Sequence, residues 1–131
     1  MTFSCFAPAH PERVWDALTD AALTGRYLYG LELHSQWQPG SPIEARATDD
    51  RTVFVGGEVL CRHTGTRLSY LLRSSAADPP VYVTWLLRSA PGGSVVTLQI
   101  DDLDAAACPI DTEDVWLPVL AGLAATAATA V

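Results

Sequence analysis

The apolar residues of this chain follow two different periods, and the order of these periods predicts an α+β fold. Helical spacing of apolar residues occurs at 11–19, at 20–28 and again from 111 onward. Alternation of apolar and polar residues, which is typical of half-buried strands, occurs at 3–6, 31–37, 43–47, 53–62, 67–73, 81–89 and 94–101. We therefore predict one strand, two short helices, a long run of strands and a final helix.

Local signals set the expected bounds of the first helices and mark one irregular strand. Pro11 presets a helical φ in the first turn of the first helix. Asp20 is a suitable N-cap for the second helix, which Gly30 is expected to end. The pair Gly56-Gly57 lies inside an alternating run, where glycines often mark a bulge or a bend.

The last helix is expected to begin in an acidic segment at 111–114 and to present one apolar face. Trp116, Leu120 and Leu123 follow each other at spacings of four and three residues on that face. Pro118 must lie near the first turn or kink the helix. The sequence after Leu123 is mostly Ala and Thr, so we expect the helix to fray there.

The later strands are joined by short turns, which predicts an antiparallel meander with one apolar face. That face needs a cover, and the last helix is the amphipathic element left to supply it. We predict a single domain over 1–131: a curved antiparallel sheet of six or seven strands around a long C-terminal helix, with two short helices after strand one.

Composition excludes several classes of function. The chain has 131 residues and a net charge of −7, and its eight basic residues are all Arg, so nucleic acid and anionic membranes are poor partners. No apolar run is long enough for a membrane span, and no secretory signal is visible. Cys5, Cys61 and Cys108 are odd in number and widely spaced, which indicates reduced thiols and a cytoplasmic protein rather than a disulfide or zinc framework.

Several segments, in order along the chain, resemble the START-like superfamily, also called SRPBCC. Within this superfamily, they resemble more specifically the bacterial relatives of the activator of the 90-kDa heat-shock-protein ATPase. The matching segments are PERVWDALTD at 11–20, WQPGSPI at 37–43, GEVL at 57–60, RLSY at 67–70, YVTW at 82–85, GSVVTL at 93–98 and VWLPVLAGL at 115–123. The resemblance implies a helix-grip fold, in which an antiparallel sheet holds a long helix and a cavity lies between them.

This chain departs from the relatives at two places. Tyr27 stands where relatives often carry Trp. The outer face of the last helix carries Ala and Thr instead of Lys and Glu, which either allows a homodimer or reflects genome composition.

The expected inner face of the sheet supplies the candidate binding residues. They are apolar apart from the Tyr70 hydroxyl and the Trp85 indole N–H, and ligand pockets are typically apolar walls with a few polar groups. Ordinary cores share this inventory, so a solid core remains an equal alternative. The candidate ligand-binding residues are Leu68, Tyr70, Leu72, Val83, Trp85, Leu98, Trp116, Leu120 and His34.

We expect a protein that binds a hydrophobic small molecule, with Tyr70 or His34 fixing its orientation. One alternative is a polyketide cyclase-like or other proton-transfer enzyme using the same cavity; the other is a chaperone-associated interaction protein. The sequence offers no legible catalytic residue, metal set or cofactor motif, so a non-enzymatic role is favoured. His34 and His63 are expected at the surface or at a rim. An inward-pointing Arg would instead indicate a bound anion or a buried partner.

Overall fold

The computed structural model describes residues 2–28, 30–47, 56–73, 80–102 and 113–129, and in these ranges the chain forms seven strands and three helices. The elements are β1 (Thr2–Ala7), α1 (Pro11–Thr19), α2 (Ala21–Tyr27), β2 (Leu31–His34), β3 (Pro42–Ala47), β4 (Gly56–His63), β5 (Arg67–Arg73), β6 (Val81–Ala90), β7 (Gly93–Asp102) and α3 (Glu113–Thr129).

All strands join one curled antiparallel sheet in the order β1-β7-β6-β5-β4-β3-β2. Alternate residues of β6 and β7 are buried, and these side chains, together with Leu68, Tyr70 and Leu72 of β5, form what we call the inner face. The helix α3 contributes Trp116, Leu120 and Leu123 to the same core and packs against α1, α2, β1 and β7. This arrangement confirms the predicted α+β helix-grip fold.

The two short helices begin where the sequence indicated. Pro11 and Glu12 lie in the first turn of α1. The side chain of Asp20 caps α2 by accepting the backbone N–H of Ala22 at 3.0 Å. Thr24 then links this helix to the sheet, because its buried hydroxyl oxygen accepts the backbone N–H of Leu33 at 2.9 Å.

The bulge predicted at Gly56-Gly57 lies instead between Val59 and Cys61 in the pairing of β4 with β5. Gly57 serves a different purpose, because a Cβ added there would collide with the backbone carbonyl of Leu71. The glycine therefore allows a close approach of two strands. Residues 53–55 of the predicted strand lie outside the described residues.

Two other predicted bounds are also corrected. The strand β2 ends at His34 rather than at 37, because Trp37 has a φ of 56° that no strand accommodates. The helix α3 continues to Thr129, and Thr126 and Ala127 are buried, so tertiary packing holds the segment that we expected to fray. The predicted start of this helix at 111 lies outside the described residues.

Across the described ranges, the model contains no helix with the length and hydrophobicity that crossing a bilayer requires.

Candidate functional site

The centre of the inner face is a hydrogen-bonded pair of aromatic side chains. The strand register aligns Leu68 with Trp85 and Tyr70 with Val83, so Tyr70 and Trp85 are diagonal neighbours on adjacent strands. The Trp85 indole N–H donates to the Tyr70 hydroxyl oxygen at 2.9 Å. Both side chains are no more than 1% exposed, so this bond lies deep in the protein.

Two further aromatic rings enclose this pair. The ring of Tyr27, from the end of α2, meets Trp85 edge-on at a centroid distance of 6.5 Å and an interplanar angle of 82°. The ring of Trp37, from the segment between β2 and β3, meets Tyr70 at 5.9 Å and 65°. Edge-to-face contacts at these distances are favourable beyond the apolar area that they bury. We call these four side chains the aromatic cluster.

Trp37 enters the aromatic cluster from a left-handed backbone conformation, which a bulky residue rarely adopts. Its backbone N–H donates to the Ser35 hydroxyl oxygen at 3.0 Å, and its side chain is 7% exposed. The hydrogen bond and the burial of the indole hold the backbone in this unfavourable region. Such conformations persist where the surroundings over-determine them, often at ligand contacts.

The two tyrosine hydroxyls of the cluster have different hydrogen-bond partners. Tyr27 donates its proton to the backbone carbonyl of Ala17 at 2.8 Å. The Tyr70 hydroxyl oxygen accepts the Trp85 indole N–H at 2.9 Å.

Burial keeps both hydroxyls protonated. Desolvation raises the pKa of Tyr70 far above its usual value, although the hydrogen bond from Trp85 lowers it in part. Desolvation also raises the pKa of Tyr27, and the nearby Tyr70 raises it further. Near neutral pH, therefore, these groups are hydrogen-bond donors and not bases.

The structure brings together nearly all of the predicted site residues. Those in β5, β6, β7 and α3 are at most 3% exposed and belong to one core cluster; they are Leu68, Tyr70, Leu72, Val83, Trp85, Leu98, Trp116 and Leu120. His34 does not join them. It lies opposite Glu44 on the outer sheet face, contacts Glu32 at 3.4 Å, and its side chain is 36% exposed.

Tyr27 and Trp37 belong to the cluster but were absent from the predicted site. For Trp37 the signal was its phase with Leu31 and Leu33 in the alternating run, which indicated the buried side. For Tyr27 the resemblance drew attention to the position, but no pattern indicated that its ring would meet Trp85.

The interior around the cluster carries no charge in the described part of the chain. The buried polar residues of the described ranges are Thr24, Ser69, Ser94 and Thr126, and all four are neutral. Within the same ranges, no group of three or more His, Cys, Asp or Glu side chains is arranged to hold a metal ion.

Two surface depressions are lined by described residues that do not include the four cluster side chains. One of about 450 Å³ is on the outer face and includes Cys61, Arg67 and Tyr82. Another lies beside the start of α1. The cluster side chains instead pack against one another.

The sequence of this chain matches a known protein family. The model of the family described as "Activator of Hsp90 ATPase homolog 1-like protein" matches residues 8–128. A comparison with curated proteins gives no match.

Solved structures share the fold at low sequence identity. Protein CV1439 from Chromobacterium violaceum is 22% identical with a TM-score of 0.78, and the match covers 98% of this chain and 96% of that one. CalU16 from Micromonospora echinospora is 16% identical with a TM-score of 0.76, covering 98% and 76%. DynU16, a protein in the dynemicin biosynthetic locus, is 18% identical with a TM-score of 0.74, and the match covers 99% of this chain but 47% of DynU16.

Proposed function

Because the chain belongs to the family of activator of Hsp90 ATPase homolog 1-like proteins, we propose that it is a binding protein for a small apolar or aromatic molecule. The ligand lies between the inner face of the sheet and α3. The observation that carries this proposal is the aromatic cluster, in which the inner-face pair Tyr70 and Trp85 share one hydrogen bond and contact the buried rings of Trp37 and Tyr27. Apolar walls with a few placed polar groups are typical of ligand sites.

The burial of apolar surface provides enough free energy for micromolar binding of such a ligand. Burying an apolar side chain of Leu or Phe size is worth about 1.5–3 kcal/mol, and a ligand of similar size gains a comparable amount for each such group. Micromolar affinity requires about −8 kcal/mol after the costs of association. A ligand that contacts several inner-face residues, such as Leu68, Val83 and Leu98, reaches that range.

Catalysis in the same place has less support. General acid–base catalysis needs a group whose pKa lies near the working pH. The titratable groups of the cluster are Tyr27 and Tyr70, and burial raises the pKa of both. They are suited to holding a ligand and not to removing a proton from it.

The test begins with native mass spectrometry of the protein as purified, followed by thermal unfolding with a panel of apolar aromatic compounds. We expect a copurifying small molecule or a rise in Tm with at least one compound. Val83→Leu adds a methylene on the inner face and should reduce the Tm response. The matched control is Val95→Leu, which makes the same change at a half-buried position on the outer face. A clean apo mass together with no Tm response across the panel would contradict the proposal.

A second function is favoured by one finding, the family description itself, which names activators of the Hsp90 ATPase. Such a role needs exposed contact residues. The exposed large apolar residues in the described ranges are Phe6, Leu60 and Leu117, on three different elements. The test is the ATPase rate of Hsp90 with and without this protein; a rise that Leu117→Ala abolishes would favour the chaperone role over ligand binding.

A further inference from the structure

We propose that the outer face of the sheet, the side turned away from α3 and the aromatic cluster, binds a second copy of this chain. The two sheets stack face to face, and their strands run in opposite directions. The inference is independent of the proposed ligand binding, because its residues lie on the opposite side of the sheet. It comes from the order of charged and neutral residues on that face.

The outer face is accessible to a partner. All three helices contribute side chains to the core that the inner face forms. In β6, Tyr82, Thr84 and Leu86 alternate with buried residues and keep partial exposure to solvent on the other side. The outer face therefore has room for a partner, and its charge pattern indicates which one.

A neutral row of side chains crosses the middle of this face. The strand register aligns Thr84, Ser69 and Cys61 on β6, β5 and β4, and we call them the neutral row. The Ser69 and Thr84 hydroxyls share a hydrogen bond of 3.0 Å, so a second sheet covers them at a smaller desolvation cost. The β-bulge between Val59 and Cys61 maintains the row, since without the extra residue Cys61 would point to the inner face.

The rows on either side of the neutral row carry opposite charges. In the order β6, β5, β4, the basic row is Leu86, Arg67 and His63, and the acidic row is Tyr82, Leu71 and Glu58. Arg67 and Glu58 are both exposed. Their rows lie about 13 Å apart along the strands of one copy, so the two side chains are available to groups on another molecule.

This order of rows selects one way to stack two copies. A two-fold axis along the neutral row places the basic row of each copy over the acidic row of the other. Leu86 then meets Tyr82 of the second copy, and Arg67 reaches Glu58 of the second copy, one strand spacing of about 4.8 Å to the side. Each contact occurs twice, as a closed two-fold interface requires. An axis along the strands would instead place each basic row over itself, and like charges across an interface are unfavourable.

Net charge and area set the expected strength of the dimer. Two copies that each carry a net charge of −7 repel each other in most orientations, so the paired rows favour this one. The strands β4 and β5 have eight and seven residues, and β4 to β7 together cover about 19 by 24 Å, or about 450 Å² of each copy. The total of about 900 Å² is below the usual size of stable interfaces, about 1,200–2,000 Å². We therefore expect a weak dimer with a Kd of about 10–100 μM.

The test is sedimentation velocity of the full chain over about 5–500 μM, a range that brackets the expected Kd. We expect the wild type to shift from monomer to dimer across this range. Arg67→Glu and Glu58→Arg should each weaken dimerisation by at least about 10-fold, because each places like charges opposite one another. An equimolar mixture of the two variants should restore a dimer of wild-type strength, since both ion pairs then form between unlike chains.

The matched control is Arg26→Glu, which makes the same change of charge as Arg67→Glu. Arg26 is exposed on α2, which packs against α3 and β2 and not on the outer-face rows. This variant should keep the Kd within about 3-fold of the wild-type value, because a charge distant from the interface is screened. Circular dichroism verifies that each variant folds.

Each outcome bears on the proposal. A wild type that stays monomeric over the whole range overturns it, and so does a dimer that neither charge reversal weakens, since that dimer uses another surface such as α3. If both reversals weaken the dimer and their mixture does not restore it, the antiparallel stacking is overturned. If a variant does not fold, cross-linking of the wild type with a short bismaleimide decides, because the neutral row faces itself across the axis. A link between Cys61 of the two copies supports the stacking, and a peptide map without this link contradicts it.

Discussion

At the scale of single residues, one hydrogen bond organises the centre of the molecule. Trp85 and Tyr70 are both fully buried, and each polar end satisfies the other in part. The sequence placed both side chains on one face of the predicted sheet by their alternation. It did not predict the register that aligns Tyr70 with Val83, and therefore it did not predict the bond itself.

Removing the Tyr70 hydroxyl should show how much its hydrogen bond with Trp85 contributes to the free energy of unfolding. Tyr70→Phe leaves the buried Trp85 N–H without its acceptor, and we expect a loss of about 1–3 kcal/mol in the free energy of unfolding. A double-mutant cycle with Trp85→Phe should give a coupling energy of about 1 kcal/mol, measured by urea unfolding. Tyr82→Phe, the outer-face control, should change stability by less than about 0.5 kcal/mol. Purely additive effects of the two core substitutions would show that the bond contributes nothing.

At the scale of elements, the packing of α3 on α2 depends on a glycine. A Cβ added at Gly122 would lie 2.9 Å from the Cβ of Tyr27 and 3.4 Å from its Cα. The two helices are therefore too close for any side chain at this point. Gly25, within α2, offers a comparison, since its added Cβ would approach only the flexible side chain of Glu32 at 3.3 Å.

These two helical glycines should respond to alanine with opposite signs. Gly25→Ala should stabilise the protein by up to about 1 kcal/mol, because alanine is the better helix former. Gly122→Ala gains the same propensity but forces the helices apart, so we expect a net loss of about 1–2 kcal/mol. Thermal unfolding of both variants under one condition provides the measurement. Equal shifts in Tm would mean that the helices separate without cost.

The pairing of β4 with β5 depends on another glycine. A Cβ at Gly57 would collide with the Leu71 carbonyl, whereas a Cβ at the adjacent Gly56 would lie 3.0 Å from the Ile43 carbonyl oxygen. We expect Gly57→Ala to reduce the free energy of unfolding by about 3 kcal/mol and Gly56→Ala by about 1 kcal/mol. Chemical denaturation measures both. A smaller loss at Gly57 than at Gly56 would contradict the close approach.

At the scale of the whole molecule, alternation and helical spacing were sufficient to predict the layer arrangement. Seven strands and a covering helix follow from where apolar residues recur, because each face must be buried against something. Details set by non-local contacts were not predictable in this way. The bulge at Val59 to Cys61, the left-handed Trp37 and the ordered end of α3 all depend on partners distant in sequence.

The two buried tyrosines should make the stability of the whole protein depend on alkaline pH. In the folded protein the pKa values of Tyr27 and Tyr70 are raised, while in the unfolded chain tyrosine ionises near pH 10. Their contribution is fully present below about pH 10. Above it the unfolded state releases two protons that the folded state keeps, so stability falls by about 2.7 kcal/mol per pH unit.

Urea unfolding between pH 9 and about pH 11 measures this dependence, with the range chosen to bracket the ionisation of exposed tyrosine. Tyr70→Phe removes one of the two groups and should reduce the slope by about half. An unchanged slope in this variant would show that Tyr70 ionises as readily when folded as when unfolded.

The burial of the Trp85 indole proton also has a kinetic consequence. This proton is hydrogen-bonded to Tyr70 in a side chain that is 0% exposed, so solvent exchanges it only when the inner face opens. A ligand that reaches Tyr70 has to pass through the same opening. Under conditions where every opening leads to exchange, the exchange rate of this indole proton, read by NMR, equals the opening rate and so limits how fast a ligand enters.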